Sequence, residues 1–145
     1  MLGLIQRVSE ARVVVHGESV GEIGRGILLL LGIQKHDEIS NVDRLLNKVL
    51  SYRIFPDAAG QMNVSLKEIG GGLLVVSQFT LAADTKKGLR PSFSSAAPPS
   101  VAEKLYDEFV TRAMALHHNV ATGRFGADMD VQLINDGPVT FLLEV

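Results

Sequence analysis

The chain has 145 residues, the usual size of one domain, and we expect a single domain over residues 1–145. Hydrophobic residues make up 46% and charged residues 21%, which excludes a disordered chain, a collagen and a coiled coil. The absence of cysteine excludes a disulfide scaffold and a thiolate metal site, and the net charge of −2 argues against nucleic-acid binding through broad phosphate contact.

Apolar patterns predict strands in the first third of the chain. Period-2 alternation at residues 2–8 puts Val8 on one face and Arg7 on the other. Two further strands are predicted at 11–16 and 19–23, and the apolar segment 27–33 indicates a central strand buried on both faces. Its clean run, 27–31, is far shorter than the roughly 20 residues of a membrane span. We therefore expect a cytoplasmic protein without a membrane partner.

Two later segments have the spacing of amphipathic helices. The first follows Ser40, a predicted N-cap, and the second begins at a capping box of Ser100 and Glu103. The apolar stripe of the first helix is Val42, Leu45, Leu46, Val49 and Leu50. The stripe of the second is Ala102, Leu105, Tyr106, Phe109, Ala113 and Leu116. Residues on one stripe share a helix face, so each helix is expected to pack against a core.

The remaining segments complete the predicted fold. A buried strand is predicted at 73–79, and alternating residues at 129–133 and 139–145 flank an Asp-Gly turn, which predicts a terminal hairpin. Six or seven strands and two helices fit neither a bundle nor a pure sandwich. We expect an α/β fold of mixed β-sheet layers with two amphipathic helices packed on one side, in β/β/α order.

The sequence lacks the common catalytic motifs. It has no phosphate-binding loop, no dinucleotide fingerprint and no serine in a Gly-x-Ser-x-Gly elbow. The four histidines lack metal-ligand spacing: His16, His36, His117 and His118. Neither a conventional triad nor a zinc hydrolase is predicted, and we expect no cofactor and no metal.

Three segments interrupt the structural pattern. Ser77, Gln78 and Thr80 place polar side chains at a strand end, where α/β proteins bind ligands, although hydroxyls there also bond local backbone. Residues 135–140 combine a turn signal with a proline directly after Gly137. Residues 86–90 carry three cations, which suit either phosphate contact or a solvated loop.

Together these segments resemble the D-aminoacyl-tRNA deacylase family over essentially the whole chain. Two signatures carry the resemblance, residues 77–81 and residues 135–140, in the order that the family has them. Four further segments also fit: 5–8, 52–55, 90–93 and 122–125. The resemblance implies a D-aminoacyl-tRNA deacylase-like fold, a homodimer, and hydrolysis of the ester that joins a D-amino acid to the 3′ end of tRNA, with neither DNA nor a membrane as partner.

The resemblance also implies roles for individual residues. The catalytic pocket that receives the aminoacylated adenosine is expected to comprise Ser77, Gln78, Phe79 and Thr80. Gly137 and Pro138 are expected to form a cis tip that enters the partner's pocket and excludes L-amino acids, with Arg7 holding the tip. Phe125 and Met129 are expected wall residues. The rest of the second signature is Asn135, Asp136, Val139 and Thr140.

The sequence leaves two mechanisms and three functions open. Thr80 is a candidate nucleophile without an obvious base. Alternatively, backbone N–H groups near Phe79 and Thr80 stabilise the oxyanion while the ribose 2′-hydroxyl assists, and the missing dyad favours this mechanism. A filter based on side-chain volume would admit glycyl-tRNA. The competing functions are a tRNA-independent D-amino-acid ester hydrolase and a non-catalytic RNA-binding module that uses residues 86–90.

Overall fold

A computed structural model describes residues 1–145 and contains eight strands and three α-helices. The strands are β1 (Leu2–Val15), β2 (Glu18–Ile23), β3 (Gly26–Gly32), β4 (Arg53–Pro56), β5 (Met62–Ser65), β6 (Gly72–Ser77), β7 (Val120–Thr122) and β8 (Asp130–Glu144). The helices are α1 (Ile39–Ser51), α2 (Leu66–Ile69) and α3 (Pro99–Leu116). A single 3-10 turn, Phe79–Ala82, follows β6. None of the helices is long and apolar enough to cross a membrane.

The main sheet is built around β1. Its order is β2–β1–β3–β6–β7, and β8 pairs with β1 as a sixth strand. The first half of β1 pairs antiparallel with β3 and the second half with β2, while β8 follows β1 from end to end. β3, β6 and β7 are parallel. A Cβ atom on Gly21 of β2 would lie 2.3 Å from the carbonyl oxygen of Thr122 in β7, so the sheet curls until it is nearly closed.

Two buried apolar clusters lie between the predicted layers. One contains 22 buried residues between the sheet and the helices, including the whole predicted stripe of α1. The other contains eight buried residues enclosed by the curled sheet, with Val8 and Val13 of β1 among them. Ile5 joins the first cluster and Val8 the second, because alternate residues of a strand face opposite sides of a sheet. The β/β/α architecture is confirmed.

The helices differ from prediction in number and in their first turns. α2 was not predicted; Ser65 caps it in a capping box with Glu68, and Gly70 ends it at φ +59°. Ser40 lies inside α1, whose cap is Glu38 paired with Asn41. Pro98 caps α3 without a side-chain bond, so the predicted capping box at Ser100 does not form. Pro99 is the first residue of the helix, and a proline suits that position because the N–H group that it lacks would have no partner there.

Three further differences concern side chains and strands. Leu116 is 54% exposed because α3 ends there. The 73–79 strand ends at Ser77, and Phe79 begins the 3-10 turn. The predicted terminal hairpin is wrong, since β8 is one strand whose two halves both pair with β1. Alternation alone does not distinguish a hairpin from one long strand with an interruption, because both halves keep the same period.

Candidate functional site

The end of β6 opens into a cavity of about 480 Å³. β6 is parallel to β3, and Leu31 lies opposite Ser77 at the last paired position. The walls come from three parts of the chain: the ends of β3 and β6, the start of α3, and the segment that joins β7 to β8. The lining residues are Leu31, Ile33, Val76, Ser77, Gln78, Phe79, Ala97, Pro99, Ala102, Phe125, Gly126, Ala127, Asp128, Met129 and Val131. A mostly apolar cavity with a few polar groups is the usual form of a small-ligand site.

Two neighbouring backbone N–H groups begin the 3-10 turn at the mouth of this cavity. The N–H of Gln78 donates to the carbonyl oxygen of Leu31 at 2.8 Å, and that of Leu81 donates to Gln78 at 3.2 Å. Between them, Phe79 and Thr80 are the first two residues of the turn, which offers their N–H groups no carbonyl. The first N–H groups of a helical turn have no carbonyl to bond within that turn. Two adjacent free donors can bind a ligand oxygen that carries negative charge.

The hydroxyl of Thr80 is bonded to a neighbouring side chain. The Nε2 group of Gln78 donates to the Thr80 Oγ1 atom, and both side chains lie near the surface. An amide nitrogen is a donor only, so Gln78 cannot take the Thr80 proton. Asp128 is the sole ionisable residue among those that line the cavity, and it is exposed. No histidine lines the cavity; His117 is buried with its Nε2 atom 2.6 Å from the Gly71 carbonyl oxygen.

The wall at Phe125 is supported from behind by α3. The ring of Tyr106 lies 5.6 Å from that of Phe125, and its hydroxyl donates to the Val75 carbonyl oxygen at 3.0 Å. Burial, with a smaller contribution from the charge of Asp107, raises the pKa of Tyr106 to about 12. The phenol therefore stays neutral and keeps donating at every pH at which the protein would work.

Five of the residues predicted for the pocket line this cavity: Ser77, Gln78, Phe79, Phe125 and Met129. Thr80 lies next to it and is exposed, but it is not among the lining residues. Sequence reasoning missed the apolar walls at Leu31, Ala97 and Ala102. Ala102 did carry a signal, since it lies on the predicted stripe of α3, but a stripe position indicates burial without saying what covers it.

The second signature forms a bulge in β8. Gln6 of β1 pairs with Thr140, and Val8 pairs with Asn135, so four residues of β8, 136–139, lie opposite Arg7 alone. Asn135 closes the bulge: its Oδ1 atom accepts from the Val139 N–H at 2.7 Å, and its Nδ2 group donates to the Thr140 hydroxyl at 3.0 Å. The extra residues are therefore expelled from the sheet as a short loop with a fixed base.

Arg7 fixes the position of this loop through hydrogen bonds. Its Nε group donates to the Asp136 carbonyl oxygen at 2.9 Å, and an Nη1 group donates to the Ile54 carbonyl oxygen of β4 at 2.6 Å. The Asp136 carboxylate lies 3.4 Å from the same guanidinium. Only 12% of the Arg7 side chain is exposed, so these bonds are partly shielded from water. Arg7 thus connects β1, β4 and the bulge.

The tip of the bulge projects into solvent. Gly137 and Pro138 are exposed, and the peptide bond between them is cis. Gly137 has φ +146°, and a Cβ atom there would lie 2.6 Å from Cγ2 of Val139. Neither residue lines the cavity, and neither does Arg7. Within one chain, the two signatures therefore form two separate features.

Candidate metal ligands are not grouped. No set of three histidine, aspartate or glutamate side chains lies close enough to hold one metal ion. A second, larger cavity of about 690 Å³ lies between β1, β2 and β8. It contains none of the residues that the sequence predicts for a site.

The fold and the site define an α/β protein with a mostly apolar, strand-end pocket that offers a hydroxyl, an amide, backbone N–H groups and one exposed carboxylate, that of Asp128. Comparison with known proteins identifies the family. Its description is D-Tyr-tRNA(Tyr) deacylase, and its profile matches residues 4–144. A D-aminoacyl-tRNA deacylase of Cellvibrio japonicus is 63% identical over all of this chain and 99% of its own. One of Pseudomonas fluorescens is 60% identical over 99% of both.

Solved structures match the fold over essentially the whole chain. The c-Myc DNA Unwinding Element Binding Protein has a TM-score of 0.96 and 38% identity, covering 100% of this chain and 99% of its own. A probable eukaryotic D-amino acid tRNA deacylase has a TM-score of 0.88 over 99% and 98% of the two chains, and at 17% identity it supports the fold alone. The chain belongs to the D-Tyr-tRNA(Tyr) deacylase family. Both the resemblance and the enzyme class predicted from the sequence, a hydrolase, are confirmed.

Proposed function

We propose that the protein hydrolyses the ester bond of D-aminoacyl-tRNA and releases a free D-amino acid and tRNA. In this proposal it works in the cytoplasm as a homodimer. The Gly137-Pro138 tip of one subunit enters the pocket of its partner and excludes L-amino acids. The observation that carries the proposal is the separation of the two signatures: a rigidly held, exposed tip lies outside the pocket of its own chain.

A backbone tip is a suitable filter for handedness. Both enantiomers carry the same amino, carbonyl and side-chain groups, so an enzyme must distinguish them by the side of Cα on which volume is allowed. Arg7 and Asn135 fix the tip from two sides, and a fixed wall rejects a side chain by steric clash. Glycine has no side chain to reject. The same filter therefore admits glycyl-tRNA.

The proposed chemistry uses the free N–H groups at the end of β6. Water attacks the ester carbonyl carbon, and the carbonyl oxygen acquires negative charge. The N–H groups of Phe79 and Thr80 bind that oxygen. The bond from the carbonyl carbon to the ribose 3′-oxygen then breaks, and the 3′-oxygen takes the proton that the attacking water loses. The ribose 2′-hydroxyl of the substrate assists the proton transfer. Ser77, Gln78, Phe125 and Met129 surround the aminoacylated adenosine.

Thr80 is not the nucleophile in this proposal. Its hydroxyl accepts a bond from Gln78, and no base lies beside it to remove the proton. Thr80→Ala is therefore expected to keep substantial deacylation of D-Tyr-tRNA. Loss of turnover by a variant that retains its fold would instead support a covalent route.

Two alternatives are separated by simple assays. A tRNA-independent ester hydrolase would cleave D-tyrosyl esters with no dependence of affinity on salt, whereas tRNA contact makes log affinity fall linearly with log salt. A non-catalytic RNA-binding module would bind tRNA without turnover.

The decisive experiment compares hydrolysis of D-Tyr-tRNA and L-Tyr-tRNA by the wild type, Gly137→Ala and Gly60→Ala. Gly60 also has a positive φ, +78°, but a Cβ there meets open space, so it is a matched control. The wild type and the control are expected to cleave only the D-ester, and Gly137→Ala is expected to be impaired. Equal rates on both enantiomers in the wild type would contradict the filter.

Mixing two impaired variants tests whether the tip acts across a dimer. Gly137→Ala displaces the tip, because its Cβ would lie 2.6 Å from Cγ2 of Val139, and Ser77→Phe fills the pocket. A mixed dimer then holds one intact pocket that faces one intact tip, so remixing is expected to restore about a quarter of the wild-type rate. If each tip serves its own chain, no mixture regains activity.

A further inference from the structure

The segment that joins the 3-10 turn to α3 forms a loop with a defined base. Asp84 and Ser92 exchange two backbone bonds, 2.7 Å from the Asp84 N–H and 3.0 Å from the Ser92 N–H. Residues 85–91 project beyond this base. The Asp84 carboxylate is exposed and accepts from the Lys86 backbone N–H at 2.9 Å. The loop is thus shaped by its own backbone and presents the side chains of its tip to solvent.

This tip, which we call the basic loop (residues 85–91), is strongly charged. It contains Lys86, Lys87 and Arg90 and no acidic residue. All three cations are exposed, and none has an ion-pair or hydrogen-bond partner for its side chain. Three cations without an internal partner thus lie within five residues of a chain whose net charge is −2. Their charge is therefore available to an anionic partner.

The chain on either side of the basic loop leads to the pocket. It starts just beyond Phe79, a pocket residue, and the chain returns through Phe93 to the pocket residues Ala97 and Pro99. The rings of Phe79 and Phe93 lie 5.1 Å apart, and both remain substantially exposed, at 61% and 43%. Ser95 fixes the return by donating to the Ala82 carbonyl oxygen. The aromatic pair thus stands at the pocket mouth, and the basic loop lies on the segment of chain that joins its two rings.

We infer that the basic loop and Phe93 bind the unpaired nucleotides that precede the aminoacylated adenosine of tRNA. Lys86, Lys87 and Arg90 contact the phosphates, and Phe93 offers a face on which a base stacks. Surfaces that bind single-stranded nucleic acid combine these two elements, cations along the backbone and aromatic rings for stacking. The inference rests on the proposed function and adds the surface by which the enzyme holds tRNA beyond the reacting nucleotide.

The test uses two D-tyrosyl substrates, one on full tRNA and one on adenosine alone. Adenosine carries the ester but none of the preceding phosphates, so the basic loop has nothing to bind in it. The variants are Lys86→Ala, Lys87→Ala, Arg90→Ala and the triple substitution. Lys67→Ala on α2 is the control, because it removes an exposed cation from a helix that contributes nothing to the pocket. The loop side chains make no internal bonds, so all variants are expected to fold.

For tRNA, each single substitution is expected to raise KM about fivefold near 0.1 M salt, and the triple substitution about a hundredfold, with kcat retained. The slope of log(kcat/KM) against log salt is expected to fall by about 0.7 for each cation removed. Neither change is expected with D-tyrosyl-adenosine or with Lys67→Ala. An unchanged KM and salt slope on tRNA in the triple variant would overturn the inference, as would an equal loss on both substrates.

Phe93 provides an independent arm of the test. Phe93→Leu removes the aromatic face and is expected to raise KM for tRNA on the order of tenfold, while Phe93→Tyr keeps the face and restores it. Equal KM values for these two variants would exclude stacking. A wild type that cleaves neither substrate would refute the proposed function itself, and that outcome is distinct from a failure of the basic loop.

Discussion

Replacing Arg7 by alanine is expected to abolish most deacylation although Arg7 lies outside the pocket. The substitution removes the Nε bond to the Asp136 carbonyl and the Nη1 bond to the Ile54 carbonyl. The base of the bulge stays closed by Asn135, whose bonds do not involve Arg7. We therefore expect the sheet to persist and the tip at Gly137 and Pro138 to lose its fixed position.

The size of the effect follows from these contacts. Each bond joins a charged donor to a carbonyl in a partly shielded setting and contributes about 1.5 kcal/mol at the low end of its range. The ion pair to Asp136 adds little, because that carboxylate is 47% exposed and its charge is screened by water. The two bonds together contribute about 3 kcal/mol, which corresponds to roughly a hundredfold change in the population of the ordered tip.

The assay measures kcat/KM on D-Tyr-tRNA together with hydrogen exchange at the Gly137 amide. Arg7→Ala is expected to lower kcat/KM by up to about a hundredfold and to speed exchange at Gly137 by a similar factor, while the strands keep their protection. Arg112→Ala is the matched control, since it removes another arginine that bonds two side chains, Glu108 and Asp43, far from the tip. If Arg7→Ala keeps the wild-type rate and a protected Gly137, the reasoning is refuted.

Three further predictions concern the sheet, the pocket wall and the pocket carboxylate. Gly26→Ala is expected to prevent stable folding, because its Cβ atom would lie 1.9 Å from the Gly72 carbonyl oxygen. The measurement is denaturant unfolding, and the control is Gly24→Ala, whose Cβ atom meets open space and which is expected to unfold like the wild type. Tyr106→Phe is expected to cost about 1 kcal/mol, since the Gly123 N–H still bonds the Val75 carbonyl. The pKa of Tyr106 is raised from 10.0 to about 12 in the folded state, so the bond of its neutral phenol stabilises the fold fully below pH 10. Between pH 10 and about 12 this contribution is lost, and the free energy of unfolding of the wild type is expected to fall more steeply than that of Tyr106→Phe. Asp128→Asn is expected to change kcat by no more than a few fold, and a hundredfold loss would make Asp128 the missing base.

Much of the fold could be predicted because hydrophobic period and burial agree. The five stripe residues of α1 are its buried residues, and the buried strand at 27–33 is the centre of the sheet. β4, β5, β7 and α2 were missed because three or four residues are too few to display a period. Pairing and packing with other elements fix them: β4 pairs with β5, β6 pairs with β7, and α2 packs on α1.

The candidate site could be predicted only in part, and for a different reason. Residues 77–80 stand out because polar side chains follow an apolar strand. The opposite wall, at Phe125 and Met129, has no such local signal, and only the resemblance indicated it. The bulge is the clearest case: the Asp-Gly signal predicts a reversal of the chain, yet β1 pairs with both halves of β8 and keeps the chain running forward. A long partner strand thus overrides a local turn signal.

Because the pocket and the tip are separate features, substitutions are expected to affect the enzyme in two different ways. In the proposed mechanism, the end of β6 supplies charge stabilisation through backbone N–H groups, and the β8 bulge supplies selectivity through backbone volume. Neither the charge stabilisation nor the selectivity depends on the functional group of a side chain, so replacing one side chain does not remove either of them directly. The side chains that matter are those that hold the backbone, Arg7 and Asn135 for the tip. Substitutions at these positions should therefore reduce selectivity and rate together, whereas changes at pocket walls such as Met129 should alter the preference among D-amino acids and leave the rejection of L-amino acids intact.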